Sequence, residues 1–200
     1  STLHYVNHGG SEFIVYQVTP TDAESGVRVG TQEYPGYPAT GVGIDNGDDL
    51  RVAFFALLHD QDLTTPIELY ATDPAGNTSS ARFDFRVFEQ DFRRSRIRLN
   101  DSFLRRVVLA IASQTPELAD ENINSSTASS ELLNLYLFIN GELRRRNRAV
   151  VAEYSTDTSI NWLWEGPFRQ LPNSQVESAF ADHRTYMYGG NEVDQQVHLG

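Results

Sequence analysis

Hydrophobic and polar positions alternate along much of residues 1–88 and then change to a helical spacing. Glu12-Phe13-Ile14-Val15-Tyr16-Gln17-Val18 is rich in β-branched and aromatic types and ends before Pro20, so it predicts a strand. The Gly/Pro/Tyr segment 26–47, with Tyr34-Pro35-Gly36-Tyr37-Pro38, leaves room only for short strands at edges or turns. Val52-Ala53-Phe54-Phe55-Ala56-Leu57-Leu58 is continuously apolar, the pattern of a strand covered on both faces. Ile67, Leu69 and Ala71 alternate with Glu68, Tyr70 and Thr72, and Phe83, Phe85 and Val87 alternate with Arg82, Asp84 and Arg86. Between those two strands, Asp73-Pro74-Ala75-Gly76-Asn77 predicts a turn: Pro74 presets φ, and Gly76-Asn77 tolerate positive φ. Several short strands within about 85 residues predict a small β-sandwich.

Residues 89–98 form a charged connector that ends near a short strand at 96–99. Phe103, Leu104, Val107, Val108 and Ile111 then recur at helical spacing, with Asn100 or Asp101 as the cap and Pro116 as the stop. Residues 114–130 are polar and loop-like. A longer helix is predicted from about 130 to 153, its apolar face running through Leu132, Leu133, Tyr136, Leu137, Ile139 and Leu143 to Ala149, Val150 and Ala152. Gly141 inside it costs about 1 kcal/mol against alanine, which predicts a close helix crossing or a contact at that point. Trp162, Trp164 and Phe168 surround Gly166-Pro167. Such a cluster either stacks on sugar rings or, more commonly, seals one domain against the next. Short strands are expected at 168–171, 175–180, 185–188 and 192–198. The fold class expected is α+β.

Charge narrows the partners. The 200 residues carry 27 acidic against 16 basic side chains, a net −11, which argues against binding nucleic acid through phosphates or an anionic membrane surface. The arginines cluster at Arg93, Arg94, Arg96 and Arg98, at Arg105 and Arg106, and at Arg144, Arg145, Arg146 and Arg148. They read as solvated, ion-paired faces, with docking on an acidic domain or anionic wall polymer as the alternative. The absence of cysteine excludes a disulfide framework, thiol catalysis and cysteine zinc sites. No apolar run reaches the ~18 residues of a membrane span.

Three acidic or histidine groups read as solvated structure. Asp45-Asn46-Gly47-Asp48-Asp49 offers oxygen ligands of the calcium kind without the spacing of a calcium loop. His59-Asp60-Gln61-Asp62 reads as a turn. His4 and His8 have a zinc spacing only on a helix, and Tyr5-Val6 followed by Gly9-Gly10 favours extended chain. There is no Gly-x-Ser-x-Gly elbow, phosphate loop or H-E-x-x-H.

The last 35 or so residues are more specific. Ser178-Ala179-Phe180-Ala181-Asp182-His183-Arg184 leads to an aromatic turn at Tyr186, Tyr188 and Gly189-Gly190, then to a strand-like run ending His198-Leu199-Gly200. This order resembles the opening strands of the lysostaphin/LytM-type zinc metallopeptidases, in which a strand ends in H-x-G-x-D. Here H-x-G is present and the chain stops before the Asp; Ala181 stands where many relatives have Gly. The resemblance implies that His198 is a zinc ligand in the complete protein. A catalytic zinc takes about three protein ligands and an open position, so no zinc and no activity are expected of these residues alone. The Asp73–Asn77 turn similarly resembles that of bacterial immunoglobulin-like domains.

The resulting expectation is an immunoglobulin-like β domain over 1–88, a linker and helical segment over 89–165, and the truncated edge of a peptidase domain over 166–200. The implied protein is the non-catalytic N-terminal region of a bacterial peptidoglycan endopeptidase, periplasmic or in the envelope, with its signal or anchor missing from this chain. Its implied partners are its own catalytic domain and peptidoglycan. The alternative is an immunoglobulin-like binding or structural module of the envelope with no catalysis.

Overall fold

The first half of the chain is all strands and short turns, and the helices of the second half pack on a three-stranded sheet. The computed structural model describes residues 2–45, 47–118, 123–175 and 178–199. It is an α+β chain that divides into two units, Ser1–Asp91 with Ser159–Ser174, and Phe92–Thr158 with Gln175–Gly200. The expected segments 89–165 and 166–200 each contribute to both. Among the described residues no helix is long and apolar enough to cross a membrane.

The first unit is built from β1 (His4–Asn7), β2 (Ser11–Gln17), β3 (Glu24–Val29), β4 (Gln32–Pro35), β5 (Tyr37–Pro38), β6 (Leu50–Ala56), β7 (Ile67–Thr72), β8 (Thr78–Ala81) and β9 (Phe85–Phe88). Two antiparallel sheets, ordered β2-β6-β5 and β4-β3-β7-β8, share one core with the parallel pair β1-β9. Val6, Val27, Val29, Phe55 and Leu57 are fully buried there. The prolines confine β4 and β5 to sheet edges, where a missing N–H breaks no ladder. Gly36 is obligatory: a Cβ there would stand 1.9 Å from the Tyr16 hydroxyl, which is hydrogen-bonded at 3.0 Å to Ser25 Oγ.

Two expectations change here. The Asp73–Asn77 turn closes β7 onto the short polar β8, not onto the Phe83–Val87 segment. Asp73 fixes that turn by accepting from the Asn77 N–H and side-chain amide, both at 2.8 Å. The following apolar strand β9 leaves the hairpin and pairs with β1, which puts Phe83, Phe85 and Val87 against the core. Nor is β6 covered on both faces by sheet. Val52, Ala53 and Phe55 are buried, while Phe54 is 46% exposed. Its ring meets Phe13 and Trp162 at 5.0 and 5.7 Å.

The second unit contains β10 (Arg94–Arg98), α1 (Asp101–Ala112), α2 (Ser129–Phe138), α3 (Arg144–Tyr154), β11 (Asp182–Tyr188) and β12 (Asn191–His198). Its sheet runs β10-β11-β12, parallel then antiparallel. Asn100 is the cap of α1, accepting from the Phe103 N–H at 2.9 Å. Leu104, Val108, Leu132, Tyr136 and Tyr186 make the core between helices and sheet. The predicted long helix is interrupted. A π-turn at Ile139–Leu143 separates α2 from α3, and no residue of α3 is buried, so Ala149, Val150 and Ala152 do not continue the apolar face. The extra residue in the π-turn rotates everything after it. Gly141 lies in that turn, and a Cβ added to it would meet no atom within 4 Å, so no helix crossing explains it. The segment 168–171 is irregular, between Pro167 and Pro172, which cannot donate to a ladder. The expected strand 175–180 includes residues outside those described.

Candidate functional site

β12 delivers His198 at its last position, and register places it directly opposite Asp182, the first residue of β11. Cross-strand partners lie on the same face of the sheet, a few ångströms apart at Cβ. The Ala181 N–H donates to the His198 carbonyl at 2.7 Å and extends the ladder past the strand end. Ala181 is fully buried and held at φ +55°, a left-handed conformation that favours glycine. That is the position at which the sequence departs from the glycine of the peptidase pattern.

Asp182 is 3% exposed. Burial works against its charge, but the Ser95 hydroxyl, the Arg184 guanidinium and the charge of Arg93 outweigh it and hold the carboxyl below its ordinary value. Arg184 Nε donates to Asp182 Oδ2 at 3.2 Å, and its other end donates to Ser178 Oγ. Sequence reasoning misses Asp182. The signal it carries is a carboxylate two residues before Arg184, hence on the same strand face, directly after apolar Phe180-Ala181.

The His198 ring is half-buried. Burial pushes its pKa down, and the positive charges of Arg184 and Arg144 push the same way, against a smaller pull from Asp182. The ring is therefore biased to the neutral form that a metal or a proton can use. It opens on a groove of about 790 Å³ between the π-turn, α3 and the end of β12, lined by Ile139, Leu143, Arg144, Arg148, Val151 and Leu199 among others.

Asn140, in the π-turn, ties this strand to the helices. It is 4% exposed, and its Nδ2 donates to Asp194 Oδ2 at 2.7 Å. Asp194 also accepts from the Gln195 N–H and the Gln196 side chain. At the opposite end of the hairpin the Tyr188 hydroxyl donates to Asp101 Oδ1, at the start of α1, at 2.6 Å.

The remaining candidates do not converge. His4 pairs with Glu12 at 3.6 Å and meets the edge of Phe83, whereas His8 reaches the Gln61 carbonyl at 3.1 Å. Asp62 caps its own turn by accepting from the Thr64 side chain and from its N–H at 2.7 Å, which lowers its pKa. Asp49 accepts from Gln17 at 3.1 Å, and Asn46 of the acidic turn lies outside the described residues. In the arginine cluster of α3, Arg145 and Arg146 both pair with Glu142. Among the described residues no three His, Asp or Glu side chains gather as a metal-binding group. The fit to zinc is therefore partial: His198 is suited to be one ligand, and these residues do not complete a set. In comparisons with known proteins, no family model matches the chain and no curated protein matches it.

Proposed function

We propose that this chain is the non-catalytic N-terminal region of a bacterial cell-wall zinc metalloendopeptidase, together with the first edge of its catalytic domain. The observation that carries the reading is the β11–β12 hairpin. It presents His198 at a strand end, opposite a buried carboxylate, with the imidazole biased to its neutral form. A ligating histidine needs that form, and its ring is commonly steadied by an outer carboxylate. The left-handed backbone at Ala181, where the pattern carries glycine, supports the same reading. In the whole protein zinc would polarise a peptide carbonyl and activate water. This chain would supply one ligand, orient it, and position or cover the catalytic groove from the periplasm or cell envelope.

For the first unit we infer an immunoglobulin-like module. Two antiparallel sheets around one core, with the first and last strands paired, support it. A module of this kind spaces or binds, which keeps an envelope binding protein without catalysis as the second reading.

Zinc calorimetry tests the first reading, on this chain and on a longer form of the protein in which this reading expects the Asp of H-x-G-x-D and a downstream H-x-H. Binding by the extended form alone, lost in His198→Ala, is the expected result. Absence of binding in the extended form overturns it.

A further inference from the structure

The first unit carries five aromatic rings in series. Phe13 and Phe54 meet at 5.0 Å on the outer face of β2 and β6. Trp162 packs on both, at 6.3 and 5.7 Å, and is 4.3 Å from Trp164, which lies 5.5 Å from Phe168. The row changes character along its length. Trp162 is fixed from behind, by the two phenylalanines and by its backbone N–H, which donates to the Gly41 carbonyl at 2.9 Å. Gly41 cannot be replaced without disturbing that docking, because a Cβ there would stand 2.0 Å from the Ile160 carbonyl. Trp164 and Phe168 are 40% and 85% exposed. Beside the tryptophans runs a groove of about 740 Å³, floored by Gly41, Val42 and Gly43 and walled by Trp162, Trp164 and Glu165. The groove is wide and open to solvent, a surface along which a chain can lie.

We propose that this row is a binding platform for a neutral glycan chain, with Trp164 and Phe168 as stacking surfaces and Glu165 as a hydroxyl acceptor. The C–H face of a pyranose ring is apolar while its rim is polar, and an exposed aromatic ring beside a carboxylate matches both. Charge selects the class. Among the described residues lining the groove none is basic and one is acidic, and the chain carries a net −11, so phosphate-bearing or uronic polymers are repelled. A peptide adding as a β-strand is matched less well, since stacked ring faces offer no ladder of backbone donors and acceptors. Choosing an N-acetylated glycan as the first probe rests on the cell-wall reading above; the platform itself does not.

The chain has two tryptophans, both in this row, so its indole emission reports on the site alone. The experiment titrates the full chain with N-acetylchitotetraose and, separately, with maltotetraose, and follows tryptophan emission. Expected is a saturable change with N-acetylchitotetraose, weakened about tenfold or more in Trp164→Ala and in Phe168→Ala, with circular dichroism unchanged. Trp162 still reports in the first variant, and the exposure of Phe168 makes the second safe for folding. Saturation with maltotetraose alone supports the platform and counts against the cell-wall reading. No saturable change with either sugar at millimolar concentration overturns the proposal, as does binding that neither variant weakens. Emission that follows protein concentration and ignores both sugars also overturns it, because the face then joins copies of the chain. Zinc binding by an extended chain has no bearing on these outcomes.

Discussion

Asn140, buried in the π-turn, donates to Asp194 on β12 at 2.7 Å across 54 residues of sequence. This bond explains the π-turn better than Gly141 does. The wide turn swings an amide inward where an α-helical continuation would aim it elsewhere, and a buried amide must find a partner. Asn140→Ala removes the donor and leaves Asp194 with its local partners only. The expected cost is about 1–3 kcal/mol, read from the denaturation midpoint. Asn140→Asp is the sharper variant. It places a second carboxyl against Asp194, so the new acid's folded pKa is raised. The variant is then closest to the parent in acid and falls away as pH rises through that value. A deficit that does not change with pH would mean the two carboxyls do not meet.

Periodicity makes the local elements legible. Asn100 is readable as a cap because a polar residue stands just before apolar residues at helical spacing, and α1 begins there. The strands β2, β6 and β7 follow from composition. Pairing is not legible: β8 consists of Thr, Ser, Ser and Ala, all exposed, and gives no hydrophobic signal, so the turn before it looks as if it serves the next apolar run. The π-turn is hidden for a related reason. It shifts the helical phase by one residue, and the residues after it, Arg144–Tyr154, keep enough apolar character to read as one continuous face. Of the site, His198 is legible only through a family resemblance. Asp182 and Asn140 are polar residues whose burial depends on strands and helices far away in sequence.

Tyr188 donates to Asp101 at 2.6 Å, and the effect is visible on both groups. The bond from Tyr188, with help from Ser129, holds the Asp101 carboxyl below its ordinary value of about 3.9, and the tyrosine is raised in turn. A depressed carboxyl stabilises the fold above its unfolded pKa, and that contribution disappears as pH falls through the folded value. Tyr188→Phe should therefore raise the Asp101 pKa, followed by carbon-detected NMR. Its stability should differ from the parent at neutral pH and converge with it in acid, below about pH 4. An unmoved Asp101 titration would show that Ser129 alone sets it.

Two glycines give predictions of opposite sign. At Gly36 an added methyl would meet the buried Tyr16 hydroxyl at 1.9 Å and the Ser25 carbonyl at 3.0 Å. Neither can move far, since Tyr16 is in the core and bonded to Ser25. Gly36→Ala should cost about 2 kcal/mol or more, from overpacking and a broken buried hydrogen bond. Gly141 has open space around it, so Gly141→Ala should stabilise by up to about 1 kcal/mol, the helix-propensity difference. Thermal denaturation of both variants checks the pair. A destabilised Gly141→Ala would mean that the π-turn itself requires glycine.

The histidine at the end of β12 can be tested without metal. Burial, then Arg184 and Arg144, lower the His198 pKa, while Asp182 raises it. In an NMR titration His198 should therefore protonate below the ordinary value of about 6.5. Arg144→Gln should move it up and Asp182→Asn should move it further down. A histidine depressed in the folded state favours folding above its unfolded pKa, and that contribution is lost as pH falls through the folded value. Asp182→Asn also removes the negative charge facing Arg184, which keeps its bond to Ser178, so a stability loss of about 1–3 kcal/mol should accompany the shift. The two readouts separate the roles of Asp182. If stability falls but the His198 titration stays put, Asp182 serves Arg184 and does not steady His198.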